Sequence, residues 1–572
     1  MKNLFLKNLV LKNLVLKNLG RRLGSVILLL LLPLCSQAMI HDPRAISADP
    51  ATATTPIAPR LAGLGDYGFQ VTTSVADSQF FFNQGLRLTY GFNHSEALRS
   101  FKEAVRLDPG NAMAYWGWAL VLGPNLNLPM QAAVAEQAFA AVQSALLLRD
   151  NVSARERAFI DALATRYAPT ALEDRSALDA DYAAAMAELV AAFPDDLDAA
   201  TLYAAALMNL SPWNYWAKDG SPLTHTTLLV DTLVSVIERK PDHPGALHYH
   251  IHAVEAAHPR DGEASADALG PLMPNAGHMV HMPSHIYMRV GRYADAYESN
   301  RLAAQADSAY IAQCNAQGIY PLNYYPHNLH FLVWAAMFQG RSADALAGAR
   351  EVQSKIPVDM QGNAFGAFET FLSQPLYVMV RFGMWAQILE EPEPAAGNRF
   401  MQGVWHYARG MAYSQTGKAR SARRELRALR QTLNAVGDDY FIGFGTAPTL
   451  LTIAEHLLAG DVAAQKGDDS QAVALLSRAV RLEDSLLYNE PPDWYFPTRH
   501  VLGAVLLDAG YPREAEVIYW EDLRKNPGNG YSLLGLQQSQ QAIGNEAAAV
   551  ATAAQFKTSW SAADVTLQSS RF

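Results

Sequence analysis

The chain has 572 residues, of which 50% are hydrophobic and 17% are charged, so its composition is that of a globular protein rather than a disordered or collagen-like one. Its 45 basic and 55 acidic residues give a net charge of -10, which argues against a nucleic-acid partner because phosphate binding needs clustered Lys and Arg. Cys35 and Cys314 are the only cysteines, too few for a disulfide framework or for a zinc site made of cysteines.

The N-terminus has the pattern of an export signal. Basic residues precede an apolar run at Val26–Leu34, and Ser36–Ala38 then supplies the small-x-small sequence that a signal peptidase recognises. This pattern predicts a signal peptide over residues 1–38 and an exported protein, periplasmic or secreted. A lipoprotein signal with a lipid on Cys35 is less favoured, because Leu34 is larger than the small residue usual before such a cysteine. No later segment has 18 consecutive apolar residues, so we expect no transmembrane span in the mature chain.

Residues 39–75 are rich in Ala, Pro and Thr and are predicted to be a linker, after which the sequence shows helical patterning. Small and large apolar residues then recur at the spacing that lets two antiparallel helices pack closely. The first set is Phe81, Gly85, Leu88, Ala97, Phe101, Ala104 and Pro109. This set resembles the tetratricopeptide repeat, a helix-turn-helix unit of 34 residues. Near the C-terminus, Gly510 and Ala515 recur 34 residues later as Gly544 and Ala549.

The resemblance covers residues 76–556 and implies an all-α fold. This fold is a superhelical solenoid of helix-turn-helix repeats, in which the first helix of each repeat lines a concave groove. We divide the array into N-terminal repeats with insertions (76–240), His-rich central repeats that line the groove (241–356) and C-terminal repeats (357–556), followed by a tail (557–572). With its export signal, the chain resembles exported bacterial proteins of this repeat type.

Histidines are concentrated in the central repeats, where ten of the 16 lie in residues 243–330. Prolines and turn glycines give the offsets between successive repeats: Pro241 and Pro274 are 33 residues apart, and Gly291 and Gly340 are 49 apart. The side chains that these offsets place at equivalent positions are His248, His281 and His330; His252, His285 and Trp334; and His278 and His327.

Helical geometry also places histidines on shared faces. Two sets each fall within about 60° of arc on a helix, namely His248, His252 and Glu255, and His278, His281 and His285. Pro283 lies inside the second set and could begin a new helix, because proline interrupts helical hydrogen bonding. The direction of His278 and His281 then stays open, whereas His285 is unaffected.

Three interpretations of these faces are open. The imidazoles could be structural and hydrogen-bonded within the helix packing. They could instead line a groove in which a non-catalytic scaffold binds a peptide, a glycan or a partner protein, with His278, Tyr287 and Trp334 among the groove residues. They could also bind a transition metal, because imidazole is the commonest metal ligand among side chains and His pairs at i, i+4 can chelate from one helix face.

We favour the metal hypothesis. Its predicted ligands are His248, His252, His281, His285, His327 and His330. Glu255 is a candidate ligand, general base or hydrogen-bond acceptor for an imidazole. Imidazole suits several metals alike, but nearby methionines and an exported location lean toward copper, so we expect copper or zinc. Three imidazoles leave coordination positions open, as in a metalloenzyme, although no motif identifies a substrate or a reaction.

Overall fold

The computed structural model of the protein describes residues 41–357 and 366–572. The predicted signal peptide (1–38) and Cys35 lie outside the described residues. The described chain is mostly helical, with 67% helix and 2% strand, which confirms the predicted all-α fold. Within these residues, no helix is both long and apolar enough to cross a membrane.

The helices up to the central repeats are α1 (Pro43–Ser47), α2 (Ala76–Tyr90), α3 (His94–Leu107), α4 (Ala112–Leu122), α5 (Ala135–Leu148), α6 (Ala154–Ala164), α7 (Ser176–Ala192), α8 (Leu197–Leu210) and α9 (Thr226–Arg239). The central repeats contain α10 (Pro244–Val254), α11 (Glu263–Leu269), α12 (Gly277–His281), α13 (Pro283–Val290), α14 (Tyr293–Cys314), α15 (Tyr325–Phe338) and α16 (Ser342–Ser354). The remaining helices are α17 (Gly366–Arg381), α18 (Trp385–Glu390), α19 (Arg399–Gln415), α20 (Ala419–Ala435), α21 (Ala447–Ala464), α22 (Asp469–Ser485), α23 (Arg499–Asp508), α24 (Pro512–Lys525), α25 (Gly530–Ala542) and α26 (Glu546–Ser559). A small antiparallel hairpin of β1 (Phe441–Ile442) and β2 (Gly445–Thr446) precedes α21.

Consecutive helices pack as pairs joined by short turns, and the glycines of the repeat pattern make room for aromatic rings between them. Phe101 of α3 fills the space left by Gly85 of α2 and Gly117 of α4, where an added Cβ would lie 2.8 and 2.3 Å from the ring. Near the C-terminus, Tyr519 of α24 lies in the same way against Gly535, where a Cβ would lie 2.1 Å from the ring. The recurrence of this packing confirms the solenoid of helix-turn-helix repeats.

The array curls until its C-terminal repeats and tail contact its central repeats. Gly291 turns the chain between α13 and α14 at a φ of 85°, a conformation that glycine adopts readily. Beside this turn, the Tyr293 hydroxyl donates to the carbonyl of Pro527 at 3.0 Å. In the tail, the backbone N–H of Asp564 donates to the carbonyl of Gly340 at 3.1 Å. The interior of the central repeats therefore meets distant parts of the chain.

The described part of the predicted linker, residues 41–75, lies against the helices. Lys102 of α3 is completely buried and donates to three carbonyls at the end of α1 (Ala45, Ile46 and Ala48). Further along, the carbonyl of Gly63 accepts a hydrogen bond of 2.9 Å from the backbone of Asn275 in the central repeats. This segment thus connects the N-terminal helices to the central ones.

Pro283 does not interrupt the helical course of the His-bearing segment. Met282 joins α12 to α13 in a right-handed helical conformation, with φ -50° and ψ -38°. Pro283 takes the first position of α13, where its missing N–H removes little, since the first N–H groups of a helix lack intrahelical partners. His278, His281 and His285 therefore lie on successive turns of one helical segment.

Candidate metal centre

Histidines of the central repeats meet in the interior of the solenoid as two groups of three. The first imidazole set consists of His248 and His252 of α10 and His278 of α12. The second imidazole set consists of His281 of α12, His285 of α13 and His327 of α15. Within each set, one ring nitrogen from every histidine lies within 4.8 Å of the others. All these side chains are buried except that of His327, which is partly buried.

Hydrogen bonds fix both α10 rings of the first imidazole set. His248 Nδ1 lies 2.6 Å from the carbonyl oxygen of Tyr90. His252 Nδ1 lies 3.1 Å from Glu255 Oε1. Because a carbonyl and a carboxylate can only accept, both Nδ1 atoms carry a proton and both Nε2 atoms keep their lone pairs. Neither Nε2 atom has a hydrogen-bond partner among the described residues, although both are buried.

His281 is fixed in the same way within the second imidazole set. Its Nδ1 lies 2.6 Å from Oδ1 of Asn300 on α14. The Nδ2 atom of Asn300 donates to the carbonyl of Ala296 at 2.7 Å, which leaves Oδ1 as the acceptor facing His281. His281 therefore carries its proton on Nδ1, and its Nε2 lone pair points toward His285 Nε2, 2.9 Å away.

Glu255 connects the two imidazole sets. Its Oε1 lies 3.1 Å from His252 Nδ1, and its Oε2 lies 2.6 Å from His285 Nδ1. Burial acts to raise the pKa of Glu255, but the positive charge that His285 and His252 can carry outweighs it and lowers this pKa to about 2. An ionised carboxylate with both oxygens engaged is a weak proton acceptor. The geometry therefore favours a role in holding the imidazoles over that of the candidate general base.

A second carboxylate reaches the same histidine from far along the chain. Glu490 lies between α22 and α23, and its Oε2 is 3.1 Å from His285 Nδ1. Burial acts to lower the pKa of His285, but Glu255 and Glu490 raise it to about 9. Burial and neighbouring imidazoles hold the pKa of four other rings of the two sets well below 6.5. These rings are His248, His278, His281 and His327. These four are neutral at pH 7, the form in which imidazole binds metal.

Within residues 41–357 and 366–572, no group hydrogen-bonds to either ring nitrogen of His278, and both nitrogens are buried. Its backbone N–H donates to the hydroxyl of Tyr320 at 3.2 Å, and this hydroxyl donates to Asp307 Oδ1 at 2.7 Å. The backbone of His278 is thus fixed, and its neutral ring offers one lone pair, on Nδ1 or Nε2 according to the tautomer.

Two aromatic side chains cover the first imidazole set, and both have a strained backbone. Phe92, in the turn after α2, has a φ of 56°, and its ring centroid lies 4.5 Å from that of His248 and 5.4 Å from that of His278. Trp213 has a φ of 64° and meets the ring of His252 edge-on at 5.3 Å. Bulky residues at positive φ cost about 1–3 kcal/mol and cluster at functional sites. Here the strained residues place aromatic rings directly against the imidazoles.

Other predicted site residues lie elsewhere. His330 belongs to neither set; its ring lies 5.9 Å from the ring of Phe371 of α17. The Tyr287 hydroxyl donates to Asp267 at 2.7 Å, away from the imidazoles. Trp334 is buried among the aromatic rings of α15, such as Phe331 at 5.4 Å and Phe338 at 6.0 Å.

The structure therefore groups the rings differently from the repeat offsets. His327 takes the place beside His281 that the offsets gave to His330. A π-helical turn at Tyr320–Tyr324 precedes α15 and changes its rotational phase relative to a regular repeat. One additional residue rotates a helix by about 100°, more than the roughly 60° between the directions of His327 and His330.

Sequence reasoning missed Phe92, Trp213, Asn300 and Glu490, because each lies outside the His-bearing first helices. A weak signal existed for Glu490, which stands before two prolines in a break of the repeat pattern. No comparable signal marked Phe92 or Asn300, which become neighbours of histidines only through helix packing.

No family model matches this sequence, and no curated protein matches it. Among solved structures, a human IFIT1 dimer with m7Gppp-AAAA is 13% identical, with a TM-score of 0.29 over 85% of this chain and 91% of that chain. Yeast Tom70 is 12% identical, with a TM-score of 0.28 over 84% of this chain and 89% of that chain. Likeness at this level carries no argument about function. The fold and the site of the chain itself define a helical-repeat protein with a buried cluster of six imidazoles.

Proposed function

We propose that this protein binds transition-metal ions through the two imidazole sets in the interior of its solenoid. The observation that carries the proposal is the direction of the rings. In His248, His252 and His281, Nδ1 faces an oxygen acceptor, which leaves the lone pair on Nε2, and one ring nitrogen of each lies within 4.8 Å of those of its set. Proteins hold metal-binding histidines in this manner, with one nitrogen fixed by an acceptor and the other free for the metal.

The cost of the unpaired nitrogens argues against a purely structural cluster. His248 Nε2, His252 Nε2 and both ring nitrogens of His278 are buried without a hydrogen-bond partner. Each unsatisfied buried polar group costs about 1–3 kcal/mol, so a metal-free cluster would be destabilised by several such increments. A bound cation would accept the lone pairs of His248 Nε2, His252 Nε2 and one nitrogen of His278, and would offset that part of the cost.

Burial also favours an ion over a peptide or glycan as the occupant. His248 and His281 have no exposed surface, and Phe92 and Trp213 cover the first imidazole set. A peptide side chain or a sugar ring would have to displace these aromatic residues to touch the imidazoles. An ion needs only the space between the ring nitrogens.

The donor set suits zinc or copper. The groups that converge within the two sets are imidazoles, which bind either metal well. Cys314 belongs to neither set, and burial raises its pKa to about 12, which keeps it a thiol. Three imidazoles leave at least one position of a tetrahedral ion open, where water or a small substrate would bind. The site is therefore compatible with a metalloenzyme as well as with metal storage.

Metal analysis tests the proposal. The protein is dialysed against EDTA, reloaded with Zn²⁺ or Cu²⁺, and analysed for metal content and thermal unfolding. We expect stoichiometric metal and a higher Tm after loading, because an ion that binds only the folded state stabilises it.

A matched pair of variants makes the test specific. His285→Gln removes a ring of the second imidazole set. His250→Gln changes a buried histidine of α10 whose Nδ1 faces Ser265 Oγ at 2.9 Å and which lies in neither set. Only His285→Gln should lose metal. Equal metal content in the two variants, or none in the reloaded unmodified protein, would overturn the proposal.

We propose in addition that the chain is exported, on the basis of the basic, apolar and small-residue pattern that ends at Ala38. N-terminal sequencing of the mature protein tests this. A chain that begins near Met39 supports it, whereas a chain that begins at a lipidated Cys35 would replace the predicted cleavage site. A mature protein that retains residues 1–38 would contradict export by this signal.

A further inference from the structure

We infer that the centre holds two metal ions side by side, one in each imidazole set, and this inference rests on the proposed metal binding. The two sets share no residue: His248, His252 and His278 form one, and His281, His285 and His327 form the other. A tetrahedral ion takes four ligands, so six converging imidazoles exceed what one such ion can hold.

Each set has the dimensions of a separate site. The ligand nitrogens within a set lie within 4.8 Å of one another, and metal–nitrogen bonds of 2.0–2.1 Å in a tetrahedral site place ligand nitrogens about 3.3 Å apart. Small rotations of the rings would close this difference. Two rings are the least restrained and could make these rotations. His278 has no hydrogen-bond partner for its ring nitrogens among the described residues, and His327 is only partly buried.

The two sets are also adjacent. The ring centroids of His252 and His285 lie 5.6 Å apart, and those of His278 and His281 lie 5.7 Å apart, so each set borders the other along two of its members. Ions in neighbouring sites with open positions can share one small bridging ligand, such as hydroxide.

Glu255 fits the role of a common support for two ions. Its two oxygens contact one imidazole of each set, His252 through Oε1 and His285 through Oε2. Glu490 adds a second buried carboxylate at His285. Two divalent cations in a buried chamber need nearby negative charge, and these carboxylates supply it without occupying the Nε2 side of the rings.

The stoichiometry of Zn²⁺ binding tests the inference. EDTA-treated full-length protein is brought to equilibrium by dialysis against micromolar Zn²⁺, and bound zinc is measured by elemental analysis. The unmodified protein should bind two equivalents. His248→Gln, in the first set, and His281→Gln, in the second, should each bind one fewer, whereas the control His250→Gln should still bind two.

The possible results separate the two proposals. One equivalent in the unmodified protein would overturn the inference of two ions and leave metal binding in place. No bound zinc would overturn metal binding itself. Two equivalents that persist in both His248→Gln and His281→Gln would place the ions elsewhere and overturn the inference as well. Far-UV circular dichroism shows whether each variant is folded, and the count in the unmodified protein does not depend on any variant.

Discussion

Replacing Glu255 by Gln should weaken metal binding at both imidazole sets, because one carboxylate holds a ring in each. Its oxygens lie 3.1 Å from His252 Nδ1 and 2.6 Å from His285 Nδ1. Glutamine keeps one acceptor oxygen but removes the negative charge beside both rings, and a change of this kind behind a metal-binding imidazole typically lowers metal affinity about 10–100-fold, or about 1.4–2.7 kcal/mol for each ion. For two ions, the product of the two binding constants should therefore fall by a factor between about 100 and 10,000.

Glu490→Gln is the matched control, since Glu490 contacts the imidazole sets at His285 alone. The two affinities are measured by competition for Zn²⁺ against a chromophoric chelator. We expect Glu255→Gln to weaken both binding steps and Glu490→Gln to weaken one. The reasoning would be refuted if Glu255→Gln changed a single step, or if the two variants gave the same titration curve.

Three further predictions concern the fold. In the C-terminal repeats, the buried carboxylate of Asp522 accepts from His500 Nε2 at 2.8 Å and from the Ser532 hydroxyl at 2.6 Å. Asp522→Asn should therefore cost about 1–3 kcal/mol in urea unfolding, because it weakens buried hydrogen bonds to a charged group; an unchanged midpoint would contradict this. Burial acts to raise the pKa of Asp522, but His500 outweighs this effect and lowers the pKa to about 2. About 2 kcal/mol of folding stability is therefore present above pH 4 and lost as the pH falls toward 2. Thermal unfolding of Asp522→Asn should accordingly depend less on acid than that of the unmodified protein. Gly535→Ala should destabilise the folded protein by about 1–3 kcal/mol, because the added Cβ would lie 2.1 Å from the Tyr519 ring. The control Gly270→Ala should be nearly neutral, since the atom nearest to its Cβ would be 3.7 Å away. Equal effects of the two substitutions would show that the Tyr519 ring can move aside.

Local sequence spacing determined the repeat architecture. Gly85 and Phe101 stand at the separation that packs a ring against a bare backbone in a helix pair, and this contact depends only on residues close in the chain. The i, i+4 spacing of His248 and His252 likewise fixed their common face, because 3.6 residues per turn leave no other arrangement in a helix. These predictions needed no knowledge of how the repeats stack.

The composition of the two imidazole sets was decided by the tertiary structure. Whether His327 or His330 joins the second imidazole set depends on the rotation of α15 about its axis, which the π-helical turn before it changes and the repeat offset does not reveal. Glu490 reaches His285 only because the solenoid curls back on itself. Sequence periodicity specifies which side chains share a helix face. The helix rotations and the closure of the superhelix, both set by packing between distant residues, specify what that face meets.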